Sequence, residues 1–208
     1  MMHRVRQGLA LWICWVGVTT VIGMVTMPIT TVVEHSTHQF LPMFLPATLL
    51  VGLGQWLILR FLLRGSGWWV VASAAGAIHR FSVSQLRFRG LLAWGGPDAW
   101  QTFLLVSLAT ACVGMLVGAL QAGVLGRYVS GATRWLLIST VAWGIGWPFG
   151  MLVGSTISMR VDSTLADMLL GGTIWATVGA ITGAGLVGLL NESPPVVFTQ
   201  DPAPQEGD

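Results

Sequence analysis

Lysine is absent from this 208-residue chain, and charge of either sign is scarce: ten arginines and eight acids make up 9% of the residues. A soluble domain of this size needs roughly 25% charged positions to cover its surface, so a water-facing fold is excluded. The acids are expected outside the apolar runs, and four of them fall in the last 17 residues. Without a carboxylate at membrane depth, a proton-coupled pump or an intramembrane hydrolase lacks the group it needs. The chain also lacks a Ser-His-Asp set, a two-carboxylate pair and a phosphate-cradling Gly-rich loop, so no enzymatic activity is expected. Cysteine is nearly absent. Cys14 and Cys112 lie in separate apolar runs and read as small buried hydrophobes, which gives neither a disulfide nor a metal site. A net charge of +2 with no cluster leaves no nucleic-acid footprint.

What is present is apolar surface, glycine and tryptophan: 54% hydrophobic residues, 27 Gly, 11 Trp and a mean hydropathy of +0.75. The pattern predicts an all-α integral membrane protein of about six transmembrane helices, with the lipid bilayer as its first partner. A hydrocarbon core of about 30 Å takes about 20 helical residues, and the runs expected to cross are residues 8–33, 40–63, 67–86, 99–125, 134–155 and 166–190. The first is too long for a signal-peptide core and has no small-residue cleavage site after it, so it is expected to be retained. The third is the weakest. From Gly67 to Ile78 it is strongly apolar, but at 1.5 Å per residue that stretch reaches only about 18 Å, and crossing takes it past His79 and Arg80. Pro148 falls inside the fifth run and should bend it, while Pro28, Pro42 and Pro46 are expected near the outer ends of the first two.

Arginine placement sets the orientation. With the N-terminus inside, Arg4, Arg6, Arg60, Arg64, Arg127 and Arg134 fall on the cytoplasmic side, against Arg80, Arg87, Arg89 and Arg160 outside. Both termini are therefore expected in the cytoplasm of a multi-pass cell-membrane protein. Residues 191–208, with four Pro and four acids, read as a disordered tail.

The most informative feature is an internal repeat. A shift of 66 residues superimposes Leu50, Val51, Gly52, Gln55, Leu59, Gly65, Trp69 and Ser73 on Leu116, Val117, Gly118, Gln121, Leu125, Gly131, Trp135 and Ser139, without a gap. The copies span residues 50–76 and 116–142. Leu, Val and Gly matches are cheap in so apolar a chain; the Gln and Trp matches are not. Each copy is a helix end, a short turn and the next helix start, so one step spans two helices and the repeat is the parallel kind. Gln and Trp at such hairpins are expected to anchor them in the headgroup layer; a paired ligand or partner surface is the alternative.

The pattern Gly-x-x-Gln-Trp-x-x-Leu-Arg followed by a Trp-rich helix start, here Gly52, Gln55, Trp56, Leu59, Arg60, Trp68, Trp69 and Ser73, resembles a group of multi-spanning membrane proteins of cyanobacteria and related bacteria. The second copy departs from it at Ala122 and Gly126. The resemblance covers about a quarter of the chain and implies a topology rather than a chemistry.

Small residues four apart let helix backbones touch in lipid, where no hydrophobic drive brings them together. Thr110, Gly114, Gly118, Ala122 and Gly126 form one such ladder; Ala142, Gly146, Gly150 and Gly154 a second; Gly172, Ala176, Ala180, Ala184 and Gly188 a third. They predict tight packing within the bundle, or a face toward a homo-oligomer or another membrane protein.

Candidate chemistry is thin. Glu34, His35 and His38 sit close together but lack zinc-motif spacing, so no metal is expected. His79 could ligate a haem or pigment, but an interfacial His beside Arg80 explains it, so no cofactor is expected. Three roles remain: a structural or accessory protein within a larger membrane assembly, which is favoured; a transporter or channel for a small neutral solute, lined by Gln55, Gln121, Ser73, Ser139 and Thr173; and a cofactor-carrying protein.

Overall fold

An apolar chain in lipid must satisfy every backbone N–H and C=O internally, and helices do so within one segment. The computed structural model describes residues 2–37, 41–63, 65–77, 99–158 and 161–192, and these are all-helical, with no strand among them. Among the described residues there are six α-helices: α1 (Met2–Thr37), α2 (Leu41–Leu59), α3 (Trp68–Ala74, continued by a 3-10 turn over Ala75–Ala77), α4 (Ala99–Leu125), α5 (Arg134–Ser158) and α6 (Ser163–Glu192). Four contain stretches long and apolar enough to cross a membrane, at Arg6–Val32, Trp100–Leu125, Arg134–Val153 and Ser163–Glu192; Leu45–Leu59 is a shorter apolar helix.

The helix bounds differ from the apolar runs where polar residues support a helix that hydropathy alone would end. α1 continues through Arg4, Arg6 and Glu34. α6 starts at Ser163 because the Asp162 carboxylate accepts from the Leu165 backbone N–H at 2.9 Å, an N-cap that satisfies an otherwise orphan donor. Asp167 consequently lies inside α6, in its second turn, rather than outside the span. α2 ends at Leu59, earlier than expected, because residues 60–63 turn toward α3. Pro28 and Pro46 lie within α1 and α2, which continue past them, and Pro148 lies within α5. The expected crossing of the third span past His79 and Arg80, the His79 reading, the His38 position and the tail from residue 193 on lie outside the described residues.

The described helices close into a ring: α1 packs on α2, α2 on α3, α3 on α4, α4 on α5, α5 on α6, and α6 on α1. The side chains are sorted as lipid demands. Leu9, Ile13, Val21, Val25 and Ile29 face outward on α1, as do Leu104, Leu108, Met115 and Leu116 on α4, while the polar residues Thr19, Gln55, Ser73, Thr110, Gln121, Ser139 and Thr182 are buried. The threonines can face an apolar interior because their hydroxyls bond back to their own helix: Thr110 to the Val106 carbonyl at 2.8 Å, Thr182 to that of Val178 at 2.7 Å. Cys14 and Cys112 are on the outer surface, contrary to the expectation of burial, because an outward position in lipid suits a thiol as well as a core does.

The core has two apolar layers. One holds Trp15, Leu59, Leu63, Trp69, Leu125, Val129, Trp135 and Leu186. The other holds Val51, Val117, Ala142, Trp143, Trp147, Ile174, Trp175 and Val178. Between them, one helical turn from each, lie Gln55, Gln121 and Thr182.

Glycine carries the contacts between neighbouring helices. A Cβ on Gly114 would lie 2.7 Å from the Ser139 carbonyl oxygen, and one on Gly118 would lie 2.7 Å from Ser139 Cβ, so the first ladder seats α4 on α5. Gly146 and Gly150 seat α5 on Val178 and Ile174 of α6. The third ladder has a different register from the one expected. Gly172 meets Met24, but Ala184 is exposed and Gly188 has nothing within 4 Å. Besides Gly172, the α6 glycines that touch α1 are Gly171, Gly179 and Gly183, packed on Gly23, Thr19 and Trp15 respectively. Ala180 still contributes, through its carbonyl, which accepts from the Trp12 indole at 2.9 Å. Gly126 meets only its own turn, and the Gly154 contacts lie outside the described side chains.

Candidate functional site

The two hairpin turns are built alike. After α2, the Leu63 N–H reaches the Leu59 carbonyl at 2.7 Å, Gly65 adopts φ +80° and the Trp69 N–H returns to the Ser66 carbonyl at 2.9 Å. After α4, the Val129 N–H reaches Leu125 at 2.9 Å, Gly131 adopts φ +73° and the Trp135 N–H returns to Ala132 at 3.0 Å. A left-handed residue at each turn is the position that glycine fills at no steric cost. Each turn thereby delivers a tryptophan one helix over from a glutamine. The Trp69 indole N–H donates to Gln55 Oε1, and the Trp135 indole N–H to Gln121 Oε1, each at 2.9 Å.

These pairs are inside the bundle, not on its surface. Gln55 and Gln121 are 6% and 5% exposed, and Trp69 and Trp135 at most 1%. Headgroup anchoring, the first expectation for them, does not describe side chains whose partners are indoles in the core. The interfacial reading suits Trp68 and Trp100 instead, which are 64% and 65% exposed.

The same geometry occurs a third time, between α6 and α1. The Trp15 indole N–H donates to Thr182 Oγ1 at 3.0 Å. Four residues after each of these tryptophans stands a hydroxyl: Ser73, Ser139 and Thr19. Three residues before each acceptor stands a glycine, Gly52, Gly118 and Gly179, whose added Cβ would collide with that hydroxyl residue and lie within 3.4 Å of the Cα of the residue after the tryptophan, Val70, Leu136 or Val16. Four residues after each acceptor stands a fully buried leucine, Leu59, Leu125 or Leu186. The three tryptophans then meet one another. Their ring centroids are 5.9 Å apart for Trp15–Trp69, 6.5 Å for Trp15–Trp135 and 5.5 Å for Trp69–Trp135, edge-on or tilted, the arrangement that aromatic quadrupoles favour.

Thr19, Gly179 and Thr182 are absent from the residues singled out by sequence, and Trp15, whose position near the start of the first run suits an interfacial tryptophan, is fully buried instead. The pair is split between the two ends of the chain, so no forward shift finds it, and Thr182 replaces the glutamine that made the other matches conspicuous. The signal that could have found it is Gly-x-x-Thr-x-x-x-Leu near one terminus with Trp-x-x-x-Thr near the other.

A central cavity of about 20 Å³ adjoins this polar band, enough for about one water molecule. Gln55, Ser73, Gln121, Ser139 and Thr182 line it, with Trp135, Trp143 and Trp175 as aromatic wall. Ser73, Ser139, Gln55, Gln121 and Trp135 are thus brought together, as the sequence reading required of a shared site. Trp69 is bonded to the group but is not part of the wall. Thr173 is not part of it either: its hydroxyl bonds to the Leu169 carbonyl at 2.7 Å. Thr48 and Thr182 occupy the places expected of it.

Within the cavity wall the hydrogen bonds run in sequence. The Gln121 amide N–H donates to Ser73 Oγ at 2.9 Å, and the Ser73 hydroxyl donates to the Trp69 carbonyl at 2.8 Å. This bridge joins two neighbouring helix pairs. Among the described residues no group of three or more His, Cys, Asp or Glu could hold a metal; Glu34, His35 and His38 fall outside the described side chains. The chemistry on offer is neutral hydrogen bonding and aromatic contact. No protein-family model, no curated protein and no solved structure matches the chain.

Proposed function

We propose that this chain is a membrane conduit for a small neutral solute, held in passing at the central cavity. One observation carries the reading: Gln55 and Gln121, the least apolar side chains of the ring interior, line one common cavity between two apolar layers instead of lying at the rim. A purely structural bundle could fill that space with aliphatic side chains, and buried carboxamides carry a desolvation cost unless their bonds are met. The reading takes the six helices as six crossings built on a parallel repeat, with both termini on the cytoplasmic side. The Arg134–Glu192 ion pair supports this, since it places the end of α6 at the same end of the bundle as the start of α5. In this state the Trp15, Trp69 and Trp135 cluster and the leucine layer beneath it close the hairpin end, so passage requires them to part.

The test is stopped-flow flux of water and of small uncharged solutes into proteoliposomes. Rates several-fold above protein-free vesicles are expected; rates equal to the vesicles would overturn the proposal. A second reading, an accessory protein in a larger membrane assembly, is favoured by one feature: an apolar groove of about 590 Å³ at the α1–α2 seam, walled by Leu11, Cys14, Val18, Leu57, Ile58 and Phe61. A stoichiometric partner retained on purification in mild detergent, together with absent flux, would select it.

A further inference from the structure

Three equivalent bridges between helix pairs could close the polar ring, and among the described residues one is made. In the first, Gln121 of α4 reaches Ser73 of the preceding α3. The second would join residue 182 of α6 to Ser139 of α5, but Thr182 is too short to do what Gln121 does, and its hydroxyl is already turned to the Val178 carbonyl. The third would join Gln55 of α2 to Thr19 of α1, but Thr19 is not part of the cavity wall, and its hydroxyl bonds to the Trp15 and Val16 carbonyls of its own helix. Gln55 and Ser139 both line the cavity, in residues 6% and 1% exposed, and neither the Gln55 amide nitrogen nor Ser139 Oγ takes part in the Gln121–Ser73 bridge.

The orientation of Gln55 is fixed by chemistry. An indole N–H can only donate, so the carboxamide atom facing Trp69 must be the oxygen and the NH₂ points to the other side. The Gln121 oxygen is occupied in the same way by Trp135. The cavity lining therefore presents N–H donors and hydroxyls but no carboxylate, and each glutamine oxygen is turned toward its tryptophan. A cation entering would lose its hydration shell and gain neither a carbonyl ring nor a counter-charge, the two means by which pores stabilise cations.

Resting on the conduit reading, we propose that the cavity is a binding site for a neutral hydrogen-bond acceptor the size of water, water or ammonia, which accepts from the Gln55 amide and pairs with the Ser139 hydroxyl. The site discriminates against potassium and other cations.

The test has two arms. In lipid nanodiscs, the Gln55 side-chain amide protons, assigned by their loss in Gln55→Leu, are expected to show a nuclear Overhauser effect to a resident water. In proteoliposomes, osmotic water flux and ammonia-driven internal alkalinisation separate the two members of the class, while a potassium gradient drives no current. Gln55→Glu keeps an oxygen for Trp69 and removes the N–H donor, and is expected to lower the neutral flux several-fold. A resident water without flux of either solute supports the site and overturns the conduit. Flux that persists at wild-type rate in Gln55→Glu, with no Overhauser effect in the wild type, overturns the site and leaves the conduit. A potassium current overturns the assigned selectivity.

Discussion

The α2–α3 and α4–α5 pairs are contiguous hairpins, whereas α6 and α1 are joined only through the fold; yet all three present a glycine, an acceptor three residues on, and a tryptophan that donates to it. The comparison separates what the packing requires from what it tolerates. The glycine and the tryptophan recur in all three, so backbone contact and the indole bond are required. The acceptor varies from Gln to Thr, so its reach is free to serve another purpose. The two glutamines, with an arm to spare after satisfying their tryptophans, are the ones that extend into the cavity.

Breaking the shared element should have the largest effect. Gly52→Leu, Gly118→Leu and Gly179→Leu each drive a side chain into a neighbouring backbone, and overpacking of this kind costs about 1–3 kcal/mol or more. Thermal unfolding in detergent should fall sharply and to a similar extent in all three, whereas Gly123→Leu, with nothing within 4 Å of its Cβ position, should leave it nearly unchanged. A tolerant Gly179 would show that the α6–α1 pair is not equivalent to the hairpins.

Removing the indole donor should sharpen the difference between acceptors. Trp69→Phe and Trp135→Phe each leave a buried carboxamide oxygen without its partner, a loss of about 1–3 kcal/mol. Trp15→Phe leaves Thr182, whose hydroxyl keeps its bond to Val178, so the cost should be smaller, nearer the ~0.6 kcal/mol average of polar contacts in membranes. Equal losses in all three, again by thermal unfolding, would mean that ring packing alone sets the cost.

The smallest effect is a gain. Ser66 is 1% exposed, and among the described residues its hydroxyl has no partner, while the matching place in the second turn is Ala132. Ser66→Ala should raise the thermal midpoint slightly, by relief of an unmet buried hydroxyl worth about 1 kcal/mol. A fall would assign that hydroxyl a partner.

Much of this was legible in the sequence, and for identifiable reasons. The helical class and the approximate positions of most described helices follow from hydropathy, and the limits of α4 fall where the apolar run does. Gln55 and Gln121 stood out because glutamine is rare in an apolar run, whereas Gly65 and Gly131 passed as cheap repeat matches and only their positive φ shows what the turns require of them. Burial was not legible: a Gln beside a Trp near a hairpin reads equally as a headgroup anchor or as a buried pair, and only the tertiary placement of the indole decides. The face of α6 was misjudged by register because Gly171, Gly172, Ala176, Gly179, Ala180 and Gly183 give several four-residue ladders at once. The third pair was hidden by its division between the chain ends.

The most direct measurement is flux through a cavity filled on purpose. Thr182→Gln gives the α6–α1 pair the acceptor the other two already have, so Trp15 keeps its bond and the longer arm can reach Ser139 across the cavity. Solute flux in proteoliposomes should fall to the level of protein-free vesicles while thermal stability is retained. Flux undiminished in a folded Thr182→Gln protein would contradict a path through the central cavity.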